Sequence, residues 1–246
     1  MSTFESRKRS RELNEKLIKL ALISAATISI LTTFGILFSI LFEAIEFFKL
    51  RSFWYFITGA TWSPGVIGSQ FGALPIFAGT FVITIIALGV AIPVGLGSAI
   101  YMSEYASANI RDYLKPLLEI LAGIPTVVYG FFAAITVAPL VVQIAEFFGL
   151  EATFNSALAS GVVMGIMIIP VISSLSDDVI RAVPDSQRKA AFALGMTHGE
   201  TIKNIVLPSA MPGIISASLL GLSKALGETM IVVMAAGLRP NLSWNP

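Results

Sequence analysis

Residues 184–208 read PDSQRKAAFALGMTHGETIKNIVLP. The stretch is polar and mixed in charge, yet long apolar segments flank it on both sides. Segments that apolar are membrane spans, so the stretch between them lies in water at a membrane surface. Its local chemistry predicts an elbow of two short helices. Asp185 follows Pro184 and is the expected N-cap, and Ser186 to Leu194 is rich in helix formers. Gly195 stands where that helix ends in a left-handed cap. Met196 to Val206 is the expected second helix, and Pro208 marks the entry to the next span. Ala190 and Ala191 are small enough for another surface to approach closely.

Composition bounds the class. Of 246 residues, 55% are hydrophobic and 13% charged, and the mean hydropathy is +0.83. A soluble domain carries about 25% charged residues, so this is a polytopic membrane protein. Net charge is +1, which offers no general basic surface for nucleic acid. Without cysteine, and with His198 the single histidine, neither a disulfide nor a histidine-rich metal site can form. No G-x4-GK-[ST] loop is present, so the chain does not itself hydrolyse ATP. We expect no cofactor and no metal.

Five apolar runs are expected to span the bilayer: about 17–42, 75–101, 116–142, 156–175 and 209–236. Residues 1–16 form a basic segment ahead of the first span, best read as a cytoplasmic anchor near lipid headgroups. The remainder, 17–246, is the transmembrane domain. Residues 43–74, with Trp54, Tyr55 and Trp62, suit an external interfacial loop. Glycines 79, 89, 95 and 97 in the second span predict close helix packing, and Pro125 a bend in the third. Asp177 and Asp178 are expected to end the fourth span at the interface. With the N-terminus, the 103–115 loop and the 176–208 loop inside, the inner segments hold six, two and four Lys or Arg. The outer segments hold Lys49, Arg51 and Arg239. That asymmetry places the elbow in the cytoplasm.

Lys224 and Glu228 are the expected intramembrane charges, on one face of the fifth span, with Ser223 and Thr229 beside them. Each costs at least ~2.5 kcal/mol at bilayer depth, so a pair or a wet cavity must receive them. They are read either as a polar lining of a translocation path or as a structural ion pair joining helices. His198 reads as a solvated loop histidine.

The elbow spacing, AA-x3-G-x9-I-x-LP from Ala190 to Pro208, resembles the cytoplasmic EAA loop of ABC-importer membrane subunits. Lys189 stands where that family carries its leading Glu. LAGIPTVVYGFF at 121–132, IIPVISSLSDDVIRAVP at 168–184 and SKALGETMIVVMAAG at 223–237 are similar to the PstC-type permeases of phosphate importers, over about residues 72–246. The family usually carries Arg where Lys224 stands. Lys keeps the charge but not the bidentate fork, which leaves a point-charge role toward an anion.

The resemblance implies an all-α bundle of the type I importer kind, with a sixth span expected beyond the five present. It implies coupling to ATPase subunits through Ala190, Ala191, Phe192, Gly195 and His198, and a path lined by Lys224, Glu228, Ser223 and Thr229. Implied partners are a homologous second permease, a dimer of ATP-binding subunits on 184–208, an extracytoplasmic binding protein and the lipid bilayer. The implied place is the cytoplasmic membrane of a bacterium or archaeon, with the N-terminus inside. Another small solute (molybdate, sulfate, an amino acid), a membrane enzyme or a non-transport scaffold are the other readings.

Overall fold

The computed structural model describes residues 2–65, 68–149 and 154–238, with side chains from 14 onward. The basic anchor's side chains, residues 1–13, and the polar stretch 239–246 with Arg239 lie outside the described residues. Almost everything described is helical, and five helices are long and apolar enough to cross a membrane: Asn14–Leu50, Leu74–Tyr105, Thr126–Phe147, Ala157–Arg181 and His198–Leu226.

The chain divides into two compact units, residues 1–58 and 59–246. The first is helix α1, Ser2–Leu50, followed by the short α2, Phe53–Thr58. Apolar side chains of α1 from Leu17 to Phe42 are exposed on every face, as a helix hydrophobic all round must be when lipid is its solvent. Edge-on ring contacts close its end. Phe48 meets Phe53 at 5.3 Å and Phe56 at 5.5 Å, and Phe47 meets Phe56 at 5.6 Å.

The second unit opens on a two-residue antiparallel ribbon, β1 Trp62–Ser63 with β2 Gln70–Phe71, within the expected external loop. Helix α3, Leu74–Ile100, then continues through a π-helical turn, Tyr101–Tyr105. Helix α4 is Ala108–Ala122. Helices α5, Thr126–Phe132, and α6, Ala138–Phe147, are joined by a second π turn, and α7 is Ala157–Arg181. The elbow helices α8, Asp185–Ala193, and α9, His198–Thr201, follow. After a third π turn come α10, Leu207–Leu226, and α11, Met230–Ala235.

Helix α7 is the centre of the bundle. It is clasped by α3, α10, α11 and α4, and most of the fully buried residues lie on it. Small residues make this possible, because apolar helices in lipid associate by backbone proximity and van der Waals packing. A Cβ on Gly161 would lie 2.7 Å from the Ile86 side chain, and one on Gly165 would lie 2.8 Å from the Ala87 carbonyl oxygen. Ile172 of α7 fills the notches left by Gly95 of α3 and Gly221 of α10. Of the α3 glycines expected to pack closely, Gly95 does so, whereas Gly79, Gly89 and Gly97 face open space.

The first and fourth spans run past their expected ends, to Leu50 and Arg181, and two others differ more. The third begins at Thr126, not near 116, because Gly123 ends α4 and Pro125 is the N-cap of α5. Proline lacks the N–H an unbroken ladder needs, so it separates two helices here instead of bending one. Residues 116–122 belong to amphipathic α4. The Tyr129 hydroxyl donates to the Leu121 carbonyl at 2.9 Å and satisfies one of α4's last acceptors. The fifth span begins earlier and breaks after Leu226, at Gly227–Thr229.

Candidate functional site: the cytoplasmic elbow

The elbow forms much as its residues dictate, but its first N-cap lies one residue earlier than expected and its second helix starts at His198, not Met196. Pro184 occupies the N-cap of α8 and Asp185 the first helical position. There the carboxylate favours the positive end of the helix without capping it. At the other end the Gly195 N–H bonds the Phe192 carbonyl at 3.0 Å and the Met196 N–H bonds the Ala191 carbonyl at 3.2 Å. That pair of bonds is a Schellman cap. It requires a left-handed residue, and Gly195 has φ +82°. Thr197 then starts α9 with a reciprocal capping box: its hydroxyl accepts from the Glu200 N–H, and Glu200 Oε2 accepts from the Thr197 N–H at 2.8 Å. The second limb runs from His198 through a π-helical turn, Ile202–Val206, into α10, with Pro208 just after that turn.

Three side chains fasten the elbow to the bundle. Arg188 donates from Nη1 to Glu104 Oε1 at 2.6 Å and from Nη2 to the Ile180 carbonyl at 2.9 Å. His198 Nε2 donates to the Glu104 carbonyl at 3.2 Å, which places a proton on that nitrogen. Its ring is stacked with Phe192 at 6.3 Å and meets Tyr105 edge-on at 5.3 Å. Gln187 Oε1 accepts from the Ser209 hydroxyl at 3.0 Å, linking α8 to α10. His198 is exposed, as expected of a loop histidine, and is also held by a hydrogen bond to Glu104 and by its ring neighbours.

The outward face differs in detail from expectation. Ala191 is buried at 3% exposure, so its small size serves packing within this chain. Ala190 is exposed beside it. Phe192 at 46% and Leu194 at 84% are the exposed apolar side chains of this face. Gly195 has nothing within 4 Å of where a Cβ would stand.

A second polar cluster, unforeseen from sequence, lies nearby. Asp177, expected at an interface, is fully buried inside α7, which continues to Arg181. Arg111 of α4 donates from Nη2 to Asp177 Oδ2 at 2.7 Å, and Lys115 pairs with Asp178. That hydrogen bond pushes the Arg111 guanidinium above its ordinary pKa, against the opposing effect of desolvation. The spacing of Arg111 and Lys115, one helical turn apart, against adjacent Asp177 and Asp178 was the available signal.

The intramembrane charges sit differently. Lys224 is half-buried in the last turn of α10. Glu228 lies in the break, where its Oε1 accepts the backbone N–H groups of Met230 at 2.9 Å and Ile231 at 3.4 Å. Glu228 therefore caps α11. No ion pair joins it to Lys224 among the described residues, and the shared helix face expected of them ends at Leu226. Ser223 and Thr229 are exposed.

Residues 91–239 match the family model of the binding-protein-dependent transport system inner membrane component. The chain belongs to this family. Its members are multi-pass inner-membrane proteins, in keeping with the five apolar helices. Over 234 residues the chain is 33% identical to a protein named "Probable ABC transporter permease protein YqgH" of Bacillus subtilis, covering 94% of this chain and 74% of that one. Over 224 residues it is 33% identical to "Phosphate transport system permease protein PstC 1" of Mycobacterium bovis, covering 79% and 66%. The chain thus spans about two thirds to three quarters of these relatives' lengths. A solved amino acid ABC transporter, at 20% identity, covers 65% of this chain and 74% of its own with a TM-score of 0.44.

Proposed function

We infer that the chain is one of two permease subunits of an ATP-driven importer, and that its solute is inorganic phosphate. The carrying observation is the elbow. A Schellman-capped helix presents Ala190, Phe192, Leu194 and Gly195 outward, and Arg188 and His198 tie the same helix-turn to α3 and α7. An external knuckle held firmly to spanning helices is what rigid-body transmission from a separate motor requires. A dimer of ATP-binding subunits docks there, on the cytoplasmic side, which also holds the N-terminus. A related second permease completes the path and an extracytoplasmic binding protein delivers the solute. The names of the phosphate permeases it is similar to support phosphate over molybdate, sulfate or an amino acid. A membrane enzyme or scaffold would have no use for the capped elbow.

Lys224 supplies a point charge that draws the anion into the path, near Ser223 and Thr229. Glu228 sets the break between α10 and α11 on which Lys224's position depends. The test is reconstitution of the chain with its second permease, ATP-binding subunits and binding protein in proteoliposomes. ATP-dependent uptake of radiolabelled phosphate, undiminished by excess sulfate or molybdate, is expected. ATP-dependent uptake of radiolabelled molybdate or sulfate, with none of radiolabelled phosphate, would transfer the assignment to that oxyanion. Failure to co-purify with any ATP-binding subunit would remove the transport reading altogether.

A further inference from the structure

Both limbs of the elbow end on one residue. Arg188 of α8 grips the Glu104 carboxylate, and His198 of α9 grips the Glu104 carbonyl. The same guanidinium also reaches the Ile180 carbonyl in the last turn of α7. Arg188 therefore joins the elbow to the ends of two spanning helices, α3 and α7, through donors held in one rigid plane. Burial separates this pair from an ordinary surface salt bridge. The Glu104 side chain is 5% exposed and that of Arg188 17%, so little solvent screens the contact. Asp185, 3.5 Å from Arg188 Nε but 83% exposed, adds little. Glu104 also lies in the π-helical turn Tyr101–Tyr105, closed by the Ala106 N–H on the Tyr101 carbonyl at 2.8 Å. Such single π turns occur frequently at functional sites.

We propose that Arg188 is a positioning residue that converts displacement of α8 into movement of α3 and α7, with Glu104 as its point of purchase. This rests on the reading of the elbow as the seat of the ATP-binding subunits. A shift of α8 carries the guanidinium plane with it, and both attached helix ends must follow or break a buried, charge-assisted bond. Breaking the bond uncouples hydrolysis from import without removing the docking face, which lies on Ala190, Phe192 and Leu194.

The test uses the assembled wild-type importer in proteoliposomes, with ATP hydrolysis and uptake of radiolabelled phosphate measured together. An assembly that fails at this stage counts against the functional reading alone. In R188A and E104Q the ATP-binding subunits stay bound, and ATP consumed per phosphate imported rises about fivefold or more, the scale of a typical coupling free energy. Where R188A fails to insert, the near-isosteric E104Q decides. An unchanged ratio in the inserted variants, whether both rates hold or both fall in proportion, overturns the proposal, because a merely structural role lowers the amount of working complex and not its stoichiometry.

Discussion

Gly195 illustrates how one backbone angle sets a surface. At φ +82° a side chain is strained even though open space surrounds it. Left-handed backbone costs most non-glycine residues about 1–2 kcal/mol, and Asn least among them. We expect Gly195→Val to loosen the Schellman cap and to lower co-purification of the ATP-binding subunits, with Gly195→Asn close to wild type. Equal loss in both variants would mean that the partner needs the bare backbone itself, not the turn. The buried pair of Arg111 and Asp177 makes an asymmetric prediction. Arg111→Ala strands a fully buried carboxylate and costs about 3–5 kcal/mol. Asp177→Ala releases an arginine that already reaches water at 19% exposure, so it costs less. Thermal unfolding in detergent ranks the two variants, and the reverse order would place the weight of the pair on Arg111.

At the scale of elements, α7 holds the bundle through what it lacks. Gly165 lies so close to α3 that an added Cβ meets backbone, the Ala87 carbonyl oxygen, instead of a flexible side-chain tip. Gly165→Ala is therefore expected to destabilise by about 1–3 kcal/mol, whereas Gly89→Ala, facing open space, is expected to be neutral or slightly stabilising through helix propensity. Melting temperatures of the purified chain distinguish them. The break between α10 and α11 offers a second test. Glu228→Ala removes an N-terminal cap worth about 0.5–2 kcal/mol, and Glu228→Gln keeps an acceptor oxygen and most of that stability. Uptake lost in the Gln variant at unchanged melting temperature would assign the charge itself to the path. The positions of these elements were only partly legible. Period and hydropathy locate apolar runs, but the ends of α4 and α10 are decided by Gly123, Pro125 and Gly227, whose effect depends on which carbonyls and side chains lie near enough to cap a broken ladder.

For the whole molecule, the exposed apolar side chains are the telling feature. Phe77, Phe81 and Ile85 along α3, and Leu219, Leu220 and Met230 toward the end of the chain, all lie open. Lipid and a second permease are the solvents that suit them. Lys224 is separated from His198 by one continuous helix and a run of about 39 Å at 1.5 Å per residue. His198, which stacks on Phe192 of the proposed docking face, and the proposed anion-attracting charge thus stand at opposite ends of the same element. Lys224→Ala is expected to lower phosphate uptake about tenfold through loss of electrostatic focusing, with insertion and ATP-binding-subunit assembly intact. Uptake at the wild-type rate would make Lys224 a packing residue.

The residues by themselves determined the class, the five membrane-crossing segments, the elbow and its left-handed glycine, and the family. Each depends on local pattern: a run of apolar residues, a glycine at a helix end, a fixed spacing of small residues. Only the tertiary structure decided that Ala191 turns inward, that Asp177 is buried against Arg111, that Glu228 caps a helix and leaves Lys224 unpaired by it, and that Arg188 and His198 meet on Glu104. Those contacts join residues 66 and 84 positions apart or more, or hinge on where a helix stops. Both are settled by which surfaces the packed glycines of α3, α7 and α10 bring within bonding distance, and local periodicity carries no record of that.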